Sequence, residues 1–292
     1  MTEAMKEILK LIRVKQWVKN GFLFAALIFA QHLFDAAFAL KALLAFIVFS
    51  FTASGVYVVN DIFDAARDRL HPEKKLRPVA SGKISAGTAW LVAVVMFIAS
   101  SVMLWLLPLK FALVIGLYVV MNVLYSWRLK RVVILDVLVL ASFYVMRVVA
   151  GAFAIDVPLS SWIILCTLFL SILLGAAKRK AELKLQERGA TRAVLLEYNE
   201  TLIDKLLTVA AGGAVLSYAL YSVSPRTLEL FRTDGLIYTT IFVVYGIFRY
   251  LYLLDKKSLG ENPTHLLLTD GGTILNLLLW ILSVIVIIYF RP

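Results

Sequence analysis

The stretch Val56-Tyr57-Val58-Val59-Asn60-Asp61-Ile62-Phe63-Asp64-Ala65-Ala66-Arg67-Asp68 decides the fold. Its apolar beginning continues a hydrophobic run that starts near residue 39 and meets no proline before the acids. At 100° per residue Asp61, Asp64 and Asp68 lie within about 60° of one another on a helix, and Asn60 widens the arc to about 100°. An apolar helix long enough to cross the roughly 30 Å hydrocarbon layer therefore ends in three carboxylates and an amide on one face.

Outward from this segment the same apolar lengths recur. The 292 residues are 61% hydrophobic and 17% charged, which excludes an ordinary water-soluble globule. Nine stretches read as crossings: 17–33, 39–60, 87–107, 109–127, 132–154, 158–178, 203–223, 235–254 and 271–290. The expected fold is all-α, a single polytopic membrane domain over 1–292 with nine transmembrane helices. An odd number of crossings puts the termini on opposite sides. Lysine and arginine then choose the orientation, with 23 on the side of the N-terminus against 5 on the other. The positive-inside rule makes the N-terminus cytoplasmic and the C-terminus external. The first nineteen residues mix five cations with Glu3 and Glu7 and read as a retained amphipathic segment, not a signal peptide. Cys166, the single cysteine, falls inside a span, so neither a disulfide framework nor a thiolate metal site is expected.

The cytoplasmic connections after the second and sixth spans are the longest, and chemistry is sought there. The net charge of +11 fits topology and anionic lipid head groups, and no nucleic-acid partner is expected. Topology does not explain acids placed among the cations. Like charges at the spacing of Asp61, Asp64 and Asp68 repel unless a cation neutralises them, and hard oxygens at a membrane boundary suit Mg²⁺ holding a phosphate or diphosphate. Spacing alone also admits a helix end whose acids are merely solvated. Downstream, His71-Pro72-Glu73-Lys74-Lys75-Leu76-Arg77-Pro78-Val79-Ala80-Ser81-Gly82 forms a stiffened basic loop from which Lys75 and Arg77 can reach anionic oxygens.

Other polar residues mark the span ends. Asn122 and Tyr125 share a face near Lys130. Asp136 and Arg147 stand eleven residues apart, about 16 Å along one face of a helix. An intramembrane arginine costs at least about 2.5–3.5 kcal/mol on insertion scales and so faces a polar interior; structural pairing and pocket lining are both open to it. Lys178, Arg179 and Lys180 follow the small residues Gly175-Ala176-Ala177, with Glu182 one turn beyond Lys178.

Asn60-Asp61-x-x-Asp64-x-x-x-Asp68 with His71-Pro72-x-Lys74-x-x-Arg77-Pro78-x-Ala80-Ser81-Gly82 resembles the first aspartate-rich signature of the UbiA-type intramembrane prenyltransferase superfamily. Gln16-Trp17-Val18-Lys19-Asn20, Tyr125-Ser126, Leu129-Lys130, Asp136, Arg147-x-x-Ala150-Gly151 and Lys178-Arg179-x-Ala181-Glu182-Leu183 resemble its decaprenyl-phosphate phosphoribosyltransferase branch. The resemblance implies a UbiA-like bundle in the cell membrane with its active site facing the cytoplasm. It implies transfer of a 5-phosphoribosyl group from phosphoribosyl pyrophosphate (PRPP) to a polyprenyl phosphate, toward a cell-wall arabinan precursor. Asp61, Asp64 and Asp68 would hold Mg²⁺, with Asn60 beside them. Lys19, Asn20, Arg77, Tyr125, Lys130, Asp136, Arg147, Lys178, Arg179 and Glu182 would line the substrates. The expected partners are the two substrates and the bilayer, with a homo-oligomer left open. The wider superfamily carries a second aspartate-rich motif after the sixth span; here a basic run stands there, which disfavours the alternative of prenyl transfer from a prenyl diphosphate to an aromatic acceptor. A transporter of anionic lipids or sugar phosphates would need polar residues through the membrane depth, whereas these crowd one face.

Overall fold

The computed structural model of the chain describes residues 2–71, 74–186, 193–256 and 269–290. Pro72 and Glu73 of the basic loop, and Arg188, Arg192, Lys257 and Arg291 of the charge count, lie outside the described residues.

All regular structure among the described residues is helical, and eight helices are long and apolar enough to cross a membrane. In chain order the helices are α1 (Glu3–Leu11), α2 (Phe24–Phe29), α3 (Ala36–Asp68), α4 (Ala86–Leu104), α5 (Leu109–Trp127), α6 (Leu135–Ala154) and α7 (Ser161–Gln186). They continue with α8 (Glu200–Ser222), α9 (Pro225–Phe231), α10 (Thr240–Lys256) and α11 (Gly271–Tyr289). The first expected crossing, 17–33, is built of two short pieces: a 3-10 helix Val14–Leu23 followed by α2. Its polar residues explain the tight winding, because Trp17 and Asn20 each take a partner on α3 instead of a hydrophobic neighbour.

The chain divides into two compact units, Met1–Arg128 with Met146–Pro158 and Leu129–Val145 with Leu159–Pro292. In the first, α3 packs along α4, and Leu11 and Ile12 from the end of α1 insert among Val58, Val79, Ile84, Ala89 and Ala93. The close approach of α6 to the 3-10 helix requires glycine at one place: a Cβ on Gly151 would stand 2.1 Å from the Leu23 carbonyl oxygen. In the second unit α7 packs along α8 around Leu173, Ile203, Leu207, Ala210 and Ile247. Gly175 there lets α6 approach α7, since a Cβ on it would meet Val137 at 3.0 Å. Helices α4 and α11 expose Leu91, Ile98, Val102, Leu275 and Leu282, the outward apolar surface of a protein whose solvent is lipid. Cys166 is half-buried in α7.

Five of the described helices start on a side-chain cap. At α1 the Thr2 hydroxyl accepts from the Met5 amide. Asp35 accepts from the Ala37 and Phe38 amides, Ser85 from Thr88, Asn199 from Leu202 and Asp270 from Thr273. Each supplies an acceptor to amides that have no partner within the helix. Arg249 of α10 also binds both oxygens of Asp270, at 2.6 and 3.0 Å, and this holds the Asp270 carboxyl well below the usual carboxylate range. The cap thus doubles as a tie between α10 and α11.

Candidate functional site

Helix α3 runs unbroken through the acids and ends at Asp68. Asp61 and Asp68 are buried, and Asp64 between them is half-buried. The loop that follows turns back on itself. Arg69 donates to the Ala80 carbonyl, the Ile84 amide to Pro78, and Gly82 takes a positive φ of 77° that a larger residue would resist. Folded this way, the loop aims Arg77 at the acids. One nitrogen of its guanidinium bonds Asp68 Oδ2 at 2.6 Å and Asp61 Oδ1 at 3.1 Å. Arg13, preceding the 3-10 helix, bonds the same Asp61 oxygen at 2.5 Å and lies over the Tyr57 ring at 5.0 Å.

Two of the three carboxylates, Asp61 and Asp68, thus face two guanidiniums. Among the described residues no three acids converge on one point, because Arg77 stands between Asp61 and Asp68. The donor set still suits a hard divalent ion. Asp61 Oδ2, Asp68 Oδ1 and both Asp64 oxygens accept no hydrogen bond from the described residues, and magnesium takes one or two carboxylates and fills its remaining positions with water and phosphate.

The polar residues around this core have distinct partners. Asn60 Oδ1 accepts from the Ser126 hydroxyl at 3.2 Å. Asn20 is spent at both ends of its amide, giving a hydrogen bond to Ser50 and accepting one from Arg147 Nε at 2.8 Å. Arg147 is buried, with the rings of Phe49 and Tyr118 at 5.0 and 5.4 Å. Of the two roles open to it, the structure supplies the pairing. Lys19 is half-buried, pairs with no acid among the described residues, and feels instead the like charges of Arg147 and Arg13. A desolvated cation in cationic company is suited to an incoming anion. Asn122 bonds the Tyr118 carbonyl of its own helix, and Tyr125 is half-buried on that same helix.

In the second unit Arg179 is fully buried. Its Nε stands 2.6 Å from Asp136 Oδ2, and its terminal nitrogen bonds Glu182. The phenol of Tyr198 donates to Asp136 Oδ1 at 2.6 Å and accepts the Ile134 amide at 2.8 Å. Burial and the adjacent Asp136 carboxylate push that phenol up, so it stays a donor at neutral pH. Arg179, Asp136 and Glu182, all expected at substrate, neutralise one another here. Lys178 keeps a 37% exposed side chain with Glu182 at 3.9 Å, and Lys130 is half-buried. Sequence reasoning missed Arg13 and Tyr198. Spacing along one helix gives no sign of partners 48 and 62 positions away; the only available cue was a cation placed directly before the first apolar stretch.

Against known proteins, the profile of the UbiA prenyltransferase family matches residues 21–277. The decaprenyl-phosphate phosphoribosyltransferase of Mycobacterium tuberculosis is 36% identical over 288 residues, covering 95% of this chain and 92% of that one. The protein of the same name from Corynebacterium glutamicum is 34% identical over 295 residues, covering 98% and 87%. In fold, a UbiA homolog from Archaeoglobus fulgidus solved with DMAPP and Mg²⁺ superposes with a TM-score of 0.68 at 19% identity, covering 97% of this chain and 99% of that one. Shared composition alone would not hold such identity along nearly the whole of both chains, and the chain belongs to the UbiA prenyltransferase family.

Proposed function

We propose that the protein transfers the 5-phosphoribosyl group of PRPP to a polyprenyl phosphate, releasing pyrophosphate, at the cytoplasmic face of the cell membrane. The observation that carries this reading is the 34–36% identity, along nearly the full length, to proteins named decaprenyl-phosphate phosphoribosyltransferase. The acid and arginine cluster at the end of α3 supports it, because it offers donors for both an ion and a phosphate. The chain acts as one transferase domain. Its ninth crossing is residues 17–33, and the excess of cations beside the N-terminus sets that terminus inside.

Asp61, Asp64 and Asp68 would hold Mg²⁺, which when bound neutralises the diphosphate that leaves the sugar. Arg77 and Lys19 bind phosphate oxygens by charge-assisted hydrogen bonds. With its oxygen turned to Ser126, Asn60 keeps an amide N–H₂ to donate toward the donor. Lys130 and Lys178, cations of the second unit, are further candidates for phosphate oxygens. Asn20 and Arg147 hold the 3-10 helix in place, and with it Lys19. The acceptor phosphate is already ionised at neutral pH, so no strong base is needed, and positioning with charge neutralisation supplies the rate.

The test is incubation of the purified protein with Mg²⁺, PRPP and a polyprenyl phosphate, followed by mass spectrometry for the phosphoribosylated lipid. Asp61→Asn is expected to fold and to lose at least about a hundredfold in rate, the scale of losing one electrostatic contact to developing charge. Product from a prenyl diphosphate and an aromatic acceptor, with none from the first mixture, overturns the reading.

A further inference from the structure

Arg13 is held in an unusual way. Its backbone is left-handed, with φ 55° and ψ 47°, a region that side chains other than glycine, asparagine and aspartate rarely take. Both flanks are fixed. Before it, Leu11 and Ile12 are buried, and the Ile12 carbonyl accepts the Ser54 hydroxyl at 2.7 Å. After it, the Trp17 indole donates to the same Ser54 at 3.0 Å. The Arg13 carbonyl accepts the Gln16 amide at 2.8 Å. A strained backbone with anchors on either side delivers one guanidinium, its side chain 20% exposed, onto the most buried acid of α3. Strain that the surroundings hold in place in this way clusters at functional positions.

The charges explain what it does there. Asp61, Asp64 and Asp68 against Arg13 and Arg77 leave one net negative charge. In that state the arginines hold one oxygen each of Asp61 and Asp68, their positive charge opposes a divalent ion beside them, and they have no charge to spare for a phosphate. Removing either partner of a buried pair strands the other unless a new counter-ion arrives. Ion and donor together supply both: the ion replaces Arg13 on Asp61, and the donor's phosphate oxygens receive the guanidinium.

Building on the phosphoribosyl-donor reading of this site, we infer that Arg13 is a donor-binding residue which, before substrate arrives, stands on Asp61 in place of the divalent ion and moves to a phosphate oxygen when ion and donor bind. A guanidinium suits both stations, since its planar fork matches carboxylate and phosphate alike. The opposed effects on ion and donor give the proposal a signature that a residue serving only the fold lacks.

The experiment uses the full chain in detergent micelles, as wild type, Arg13→Gln and Arg13→Lys. Mn²⁺, an ion visible to electron paramagnetic resonance that replaces Mg²⁺, is titrated without donor; PRPP affinity is then measured by calorimetry at saturating Mn²⁺. Arg13→Gln should bind donor-free Mn²⁺ severalfold more tightly and PRPP about tenfold more weakly, the loss expected for one charged hydrogen bond. Arg13→Lys should fall between it and wild type on both. Looser binding of both ligands, or no change in either, overturns the role of Arg13. If Arg13→Gln does not fold, Arg13→Lys decides alone, and looser Mn²⁺ binding in it overturns the proposal. A wild-type protein that binds Mn²⁺ but no PRPP removes the donor reading and the inference with it, a result distinct from failure at Arg13 alone.

Discussion

Arg179 shows how far one side chain's role departs from its type. In a run of three cations its expected task is to hold phosphate, yet it is fully buried with Asp136 and Glu182 against it. Burying a guanidinium is tolerable only with such partners, and taking it away leaves two acids uncompensated, at a cost of roughly 3–5 kcal/mol. Arg179→Met should therefore lower the thermal unfolding midpoint in detergent sharply, while Arg179→Met combined with Asp136→Asn and Glu182→Gln should recover much of the loss. A triple variant no more stable than the single one would show that the cluster does not act as a neutralised set. Sequence reading placed Asp136 near the start of the fifth span and Arg179 and Glu182 at the end of the sixth; which of them face one another depends on Tyr198 and on how α6 meets α7, and neither is written in local spacing.

At the scale of elements, the second crossing was fully legible. Its hydrophobic run has no breaker, and α3 carries on to Asp68 as the face of three acids required. The first crossing was legible only as an apolar average. Lys19 and Asn20 fall inside it, and a window that averages hydropathy cannot register that Trp17 and Asn20 bond sideways to Ser54 and Ser50, so the 3-10 winding went unseen. The spacing of Arg147 and Gly151, one turn apart on α6, gains its meaning here: one bonds Asn20 of the 3-10 helix and the other clears space for Leu23. Gly151→Ala places a carbon against the Leu23 carbonyl and must push the two elements apart, at about 1–3 kcal/mol. The expected result is a lower unfolding midpoint together with weaker PRPP binding, because Lys19 rides on the displaced element. Unchanged donor affinity in a clearly destabilised variant would separate that helix from the site.

For the whole molecule, charge asymmetry and apolar lengths spoke before any contact did, and eight of the nine apolar lengths reappear as long helices among the described residues. Orientation can be checked chemically. With the single cysteine removed by Cys166→Ala, cysteines placed at Lys75 and at Lys110 should react with a membrane-impermeant maleimide from opposite sides, Lys75→Cys only in inside-out vesicles and Lys110→Cys only in right-side-out ones. The reverse pattern would turn the protein over and remove the donor from reach of the acids. The self-sufficient helix starts carry one more implication. Because Asp35, Ser85, Asn199 and Asp270 each satisfy at least one backbone amide from within the chain, those amides borrow nothing from lipid phosphates, and stripping away native lipid takes no hydrogen-bond acceptor from them.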